Sequence, residues 1–344
     1  MKYIFTPGEP DYAYIKKSVC SLQAEYPFLK VEIAGRSTCG RKIFALRFGR
    51  SANPVLIAAC FHAQERLTAL VTLRFIERLC LSAKNRQTMC GIDIGGALSR
   101  REIIFVPCVN PDGVEIALHG AETAGKYRDC VERAMSESHD LWNANARGVD
   151  LNHNFNAGWD LSKALEIEAG ITAPAPRRFG GYAPQTEPEV NALVRLCLRR
   201  MPRTAIALHS QGEEIYYEYG EHTPERGEHL AKIFAAASGY TLVQNAGLAS
   251  HAGFKDWTIE ALGIPSFTFE LGKGRNPLPL SDFESVYKSI EETLVIACVM
   301  CVLLESAPCR RKYYRRHKIF ISKLRDFKAA PAVGTALAAV RYRR

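Results

Sequence analysis

Five apolar runs of strand length constrain this chain most: KIFALRF (42–48), PVLIAAC (54–60), EIIFVPCV (102–109), TAIALHS (204–210) and SFTFELG (266–272). Around them, segments 11–24, 66–82, 187–200, 224–238 and 281–305 carry apolar residues at helical spacing. Strands buried on both faces read as near-continuous apolar runs. Their alternation with amphipathic helices predicts an α/β fold with a largely buried central sheet. No internal repeat or low-complexity linker precedes residue 306, so residues 1–305 are expected to form one domain.

Composition narrows the class. Hydrophobic residues make up 47% and charged residues 24%, ordinary for a soluble globular protein. No apolar run is long enough for a transmembrane segment. The opening MKYIFTPGEPDYAY lacks the apolar core of a secretory signal. Eleven cysteines are an odd number; they are scattered, and Cys60, Cys108, Cys197 and Cys298 sit in apolar runs. That usage suits reduced, buried thiols and a cytoplasmic location.

The net charge of +9 does not belong to the body. Twelve of the 45 lysines and arginines, but only one of the 36 acids (Asp326), lie after Glu305, leaving 33 basic and 35 acidic residues before that point. The tail, 306–344, is thus a basic extension, solvated or set to touch an anionic polymer or membrane surface. No specific nucleic-acid partner is expected of the near-neutral body.

Polar residues gather where the apolar runs end: His62 and Glu65; Asn110, Asp112 and Gly113; His209, Ser210 and Gln211; and Glu270. In open α/β sheets ligands bind outside the carboxyl ends of strands. A catalytic zinc takes three ligands from histidine and carboxylate and keeps a position open. His62 and Glu65, three apart, face one way in a helical turn, and His209 offers a third ligand. Each alone has an ordinary reading, a hydrogen-bonding histidine or an ion-paired carboxylate; the combination points to metal. Other features carry less. Cys298-x-x-Cys301 lies in an apolar helical run, GKGRNP lacks phosphate-loop spacing, and no G-x-S-x-G surrounds Ser210.

Taken in order, HAQE, NPDGVE, NARGVDLNHNF, ALHSQG, FKDW and FTFELGKG resemble the zinc carboxypeptidase family, from about Tyr12 to about Leu304. The resemblance implies a mixed, mostly parallel sheet flanked by helices, and one Zn2+ per chain held by His62, Glu65 and His209. It also implies that Asp150 hydrogen-bonds a ligand imidazole and that Glu270 is the catalytic general base and acid. Arg147 is the candidate oxyanion donor, although the digestive members carry a longer insertion at this point. Asn152 is implied to contact substrate.

Three departures bear on substrate. Members that trim C-terminal residues carry Asp-Leu-Asn-Arg-Asn-Phe, whose arginine clamps the terminal carboxylate. Here the stretch is DLNHNF, and His153 cannot offer a bidentate fork. Lys255 stands before Asp256-Trp257, where the family lines its specificity pocket, and is expected to favour an anionic group. His251 stands where close relatives often carry tyrosine. With ASHAGFKDW and ELGKG, these features resemble the bacterial γ-D-glutamyl-diamino-acid endopeptidases, whose substrate is a peptidoglycan peptide. A general metallocarboxypeptidase is the alternative, and a silent binding relative a further one.

Overall fold

The structure is a computed structural model, and it describes residues 5–50, 54–99, 101–243 and 251–303; the side chains of 300–303 lie outside that description, as does the basic tail. Among the described residues ten strands occur: β1 (Lys30–Arg36), β2 (Lys42–Gly49), β3 (Val55–Ala59), β4 (Thr88–Met89), β5 (Ile92–Asp93), β6 (Glu102–Val106), β7 (Thr204–His209), β8 (Glu214–Tyr216), β9 (Thr241–Leu242) and β10 (Ser266–Glu270). Eight of them form one sheet in the order β1-β2-β6-β3-β7-β10-β8-β9, and β4 and β5 pair apart from it. The centre, β6-β3-β7-β10, is parallel, and β1, β2 and β8 run antiparallel to their neighbours there. A mixed sheet with a parallel heart is therefore present.

Every residue of β3, β6 and β7 is buried, which is why these segments read as unbroken apolar runs. Helices cover both faces. On one face, α2 (Leu67–Asn85), α8 (Glu225–Ser238) and α10 (Phe283–Leu303) close a core containing Phe75, Phe105, Phe234, Phe267 and Ile290. On the other, α7 (Pro188–Arg200) and α9 (Phe254–Leu262) pack residues such as Val190 and Trp257 over Ile104 and Ala205. The remaining helices, α1 (Tyr12–Glu25), α3 (Ile94–Leu98), α4 (Pro111–His119), α5 (Arg128–Ser136) and α6 (Trp159–Glu168), flank these layers. Among the described residues no helix is long and apolar enough to cross a membrane.

The parallel register sets the site. Glu270 on β10 pairs with His209 on β7, and Ala59 on β3 pairs with Leu208. Three adjacent strands therefore end at one level. Cys60, with φ of 56°, turns the chain out of β3 just before His62. The polar residues after β6 serve a different end from the one expected. Asn110 and Asp112 are fully buried. Asn110 caps α4 by accepting the Gly113 N–H (2.9 Å) and donates to the Phe61 and Ala144 carbonyls (3.0 and 3.1 Å). Asp112 accepts from Ser37, Cys39 and Arg41. A Cβ on Gly113 would lie 2.3 Å from the Ala144 carbonyl oxygen, so only glycine admits this close loop approach. These residues position the loop rather than face substrate.

Candidate metal centre and active site

His62 follows β3, Glu65 closes the short 3-10 turn Ala63–Glu65, and His209 ends β7. The structure brings the three together. His62 Nδ1 lies 2.7 Å from Glu65 Oε1, and His209 Nδ1 lies 2.8 Å from Glu65 Oε2. The ligand atoms of all three lie within 4.8 Å of one another. Two imidazole nitrogens thus converge on the two oxygens of one buried carboxylate. Two histidines and one carboxylate are an established donor set for catalytic zinc. The residues present therefore fit the ion the sequence implied.

The surroundings hold this set in place. Asp150 Oδ1 lies 3.0 Å from His62 Nε2, and its Oδ2 accepts the Arg178 N–H at 2.9 Å. A carboxylate on the far nitrogen fixes the orientation of a ligand imidazole and raises its basicity. Phe61 stacks on His209, with ring centroids 5.0 Å apart. Burial raises the Glu65 pKa, but the two imidazoles outweigh it and bring the carboxyl down to about 2. Asp150 is likewise depressed: burial opposes ionisation, and His62 and His153 overcome it. Glu270 is the opposite case. Burial pushes its carboxyl well above the ordinary value, and the charges of Glu65 and Glu214 push it further. One carboxylate is kept charged and its neighbour made basic within one cavity.

That cavity has a volume of about 880 Å³. His62, Glu65, Asp150, His153 and Glu270 line it, together with Asn143, Gln211, Arg177, Arg178 and Arg275. Gln211 and Arg275 lie in stretches the sequence already marked, at the end of the fourth apolar run and in GKGRNP; Asn143, Arg177 and Arg178 went unrecognised in the sequence. Asn143 had a legible signal, since it directly follows Trp142 in LWNANARGVD. Its backbone and side chain hold the Ala63–Gln64 N–H groups beside the ligand turn.

Two expected roles do not agree with the structure. Arg147 is not among the described residues lining the cavity; its guanidinium is clasped by Glu187 (3.0 and 2.5 Å) and the Thr186 carbonyl. Its charge is spent on that carboxylate, so the oxyanion role expected of it does not follow from its position. Lys255 is 3% exposed, and its ammonium is bound to Asp256 and to the Glu218 carbonyl at 2.6 Å. A buried, neutralised ammonium is not available to an incoming anion. Asn152 accepts the Phe254 N–H at 3.0 Å, joining the DLNHNF turn to α9. His153 approaches Ser162 at 3.4 Å, and burial lowers its pKa. His251 packs edge-on to Tyr219, and residues 244–250 before it lie outside the described residues.

The network that holds Arg147 makes its own prediction. Glu189 accepts from the Thr38 N–H (2.8 Å) and, more weakly, from Asn145. Burial raises its pKa to about 7 and Asp112 adds to the effect, although the Thr38 N–H opposes it. The native state then binds more protons than the unfolded chain between the ordinary value of 4.5 and about 7. Stability from this group is full below 4.5 and is lost as pH rises through 7, by roughly 3 kcal/mol at most. Glu189→Gln is expected to gain melting temperature relative to the native protein at pH 8 but not at pH 5; a constant difference across that range would contradict this.

Residues 15–293 match the zinc carboxypeptidase family of M14 peptidases. The chain belongs to the zinc carboxypeptidase family. It is a zinc-dependent metallopeptidase. Among curated relatives of this chain, γ-D-glutamyl-L-diamino acid endopeptidase 1 of Lysinibacillus sphaericus is 35% identical over 280 residues, covering 81% of this chain and 69% of the relative. The uncharacterized protein YqgT of Bacillus subtilis is 36% identical over 283 residues, covering 81% and 74%. Rat carboxypeptidase B is 25% identical over 258 residues, covering 70% and 57%. Bovine thrombin-activatable fibrinolysis inhibitor shares the fold, with a TM-score of 0.67 at 21% identity, over 88% of this chain and 98% of that one.

Proposed function

We propose that this zinc carboxypeptidase relative hydrolyses the amide bond between γ-D-glutamate and diaminopimelate in peptidoglycan peptides. One zinc ion per chain would be held by His62, Glu65 and His209. The observation that carries the substrate reading is His153, an imidazole at the cavity wall where C-terminal trimming requires a planar arginine clamp. A terminal carboxylate would find no fork there. The 35% identity to a γ-D-glutamyl-L-diamino acid endopeptidase supports the same reading.

Zinc, when bound, supplies Lewis acidity toward water and the scissile carbonyl. The chain supplies the proton transfers. Glu270 takes a proton from the attacking water and returns one to the leaving amine of diaminopimelate as the C–N bond breaks. Its place in the same cavity as His62 and Glu65 puts the carboxylate beside both transfers. Asn152 and His251 are proposed to contact the substrate backbone near the DLNHNF turn.

The test compares L-Ala-γ-D-Glu-meso-diaminopimelate with blocked dipeptides ending in Phe and in Lys, with products weighed by mass spectrometry. The expected result is release of diaminopimelate, with kcat/KM for the dipeptides lower by about a hundredfold or more. His153→Arg is expected to raise activity on the dipeptides. A blocked Phe dipeptide that proved the best substrate would return the protein to the general metallocarboxypeptidases.

A further inference from the structure

The loop PAPRRFGG places two consecutive arginines, Arg177 and Arg178, on the wall of the active-site cavity. A second cavity, of about 360 Å³, lies against the first, and Arg177, Arg178, Asp140 and Ala169 line both. The arginines therefore stand where the two spaces meet.

Both are poorly satisfied by the protein itself. Arg177 Nε is shut off from solvent and has no hydrogen-bond partner. Its ion-pairing contact is with Asp140, 3.7 Å away, and both side chains are about half exposed. Such a pair contributes little in water. Arg178 is exposed, and among the described residues no carboxylate pairs with its guanidinium. Its backbone is nevertheless firmly placed. The N–H is held by Asp150 Oδ2, and φ is 68°, a left-handed conformation rare for arginine. Asp150 also holds His62, so one carboxylate ties Arg178 to the metal ligands. Asn154 fastens the rest of the loop, donating to the Gly180 and Ala183 carbonyls (2.8 and 2.9 Å).

We infer that Arg177 and Arg178 form a carboxylate-binding subsite that reads an anionic group on the substrate beside the scissile bond. The two positions from which such recognition was expected do not supply it: His153 has no fork, and Lys255 is buried against Asp256. A γ-linked glutamate leaves its α-carboxylate free within a few bonds of the amide that is cut. A planar guanidinium meets a carboxylate through two parallel hydrogen bonds, which a carboxamide cannot accept equally well. This inference rests on the proposed substrate for its ligand class, but its test separates the two.

The probe is L-Ala-γ-D-Glu-meso-diaminopimelate, beside the same peptide with the glutamate α-carboxylate converted to carboxamide. Binding is measured by calorimetry on zinc-loaded Glu270→Gln protein, so that the ligand is not consumed, and cleavage is measured with Glu270 intact. Arg178→Gln is expected to weaken binding of the carboxylate peptide about tenfold or more and to leave the carboxamide peptide unchanged. Arg177→Gln is expected to act in the same direction, and Arg178→Lys to restore part of the loss. A purely structural defect would weaken both peptides alike and overturn the inference. If the native enzyme releases diaminopimelate but neither arginine variant distinguishes the two peptides, the subsite is wrong and the proposed reaction stands. If no diaminopimelate is released yet binding follows the arginines, the reaction is wrong and the subsite stands. Failure of the Glu270→Gln protein to bind either peptide overturns the subsite.

Discussion

Replacing Glu270 with glutamine is expected to lower hydrolysis by on the order of a hundredfold or more while the protein keeps its zinc and its fold. The substitution preserves shape and removes the proton acceptor. Glu270 ends β10 in register with His209, so its backbone is held by the sheet and not by its own carboxylate. The same geometry yields a second readout. Burial and the charge of Glu65 raise the Glu270 pKa, so in the metal-free protein the group stabilises the fold below its ordinary value and loses that contribution as pH rises. Metal-free Glu270→Gln protein should therefore melt no lower than the metal-free native protein at neutral pH. Near-native turnover in the variant would remove Glu270 from the mechanism.

Loss of the metal is expected to be equally severe. Chelation should abolish hydrolysis, and zinc should restore it at about one ion per chain by elemental analysis. A thousandfold excess of zinc over its dissociation constant should stabilise the fold by roughly 4 kcal/mol. Glu65→Gln should weaken zinc retention most, because Glu65 is the one anionic member of the set and both imidazole nitrogens face it. An amide offers the metal a neutral oxygen in place of a charge. A native protein that takes up no zinc would overturn the assignment of His62, Glu65 and His209.

The sequence by itself determined five strands of the sheet, five of the helices and the set of groups able to hold a metal. The runs at 55–59 and 204–209 are buried on both faces, and burial of that kind leaves its mark as uninterrupted apolar residues. Hydrophobic periodicity placed α2, α7 and α8 to within a few residues for the same reason. His62, Glu65 and His209 were legible because each follows or ends such a run, and parallel strands end together. What only the tertiary structure decided was the direction of the loop side chains. Arg147 turns away because Glu187, far along the chain, takes both sides of its guanidinium. Lys255 turns inward to Asp256, while Asn110 and Asp112 serve a cap and an ion pair instead of the rim. Arg177 and Arg178 reach the cavity because Asp150 and Asn154 bind their loop. Strand burial is a repeating local pattern that one segment can carry alone. The aim of a loop side chain depends on which partner from another segment satisfies it, and that partner is known only once the chain has folded.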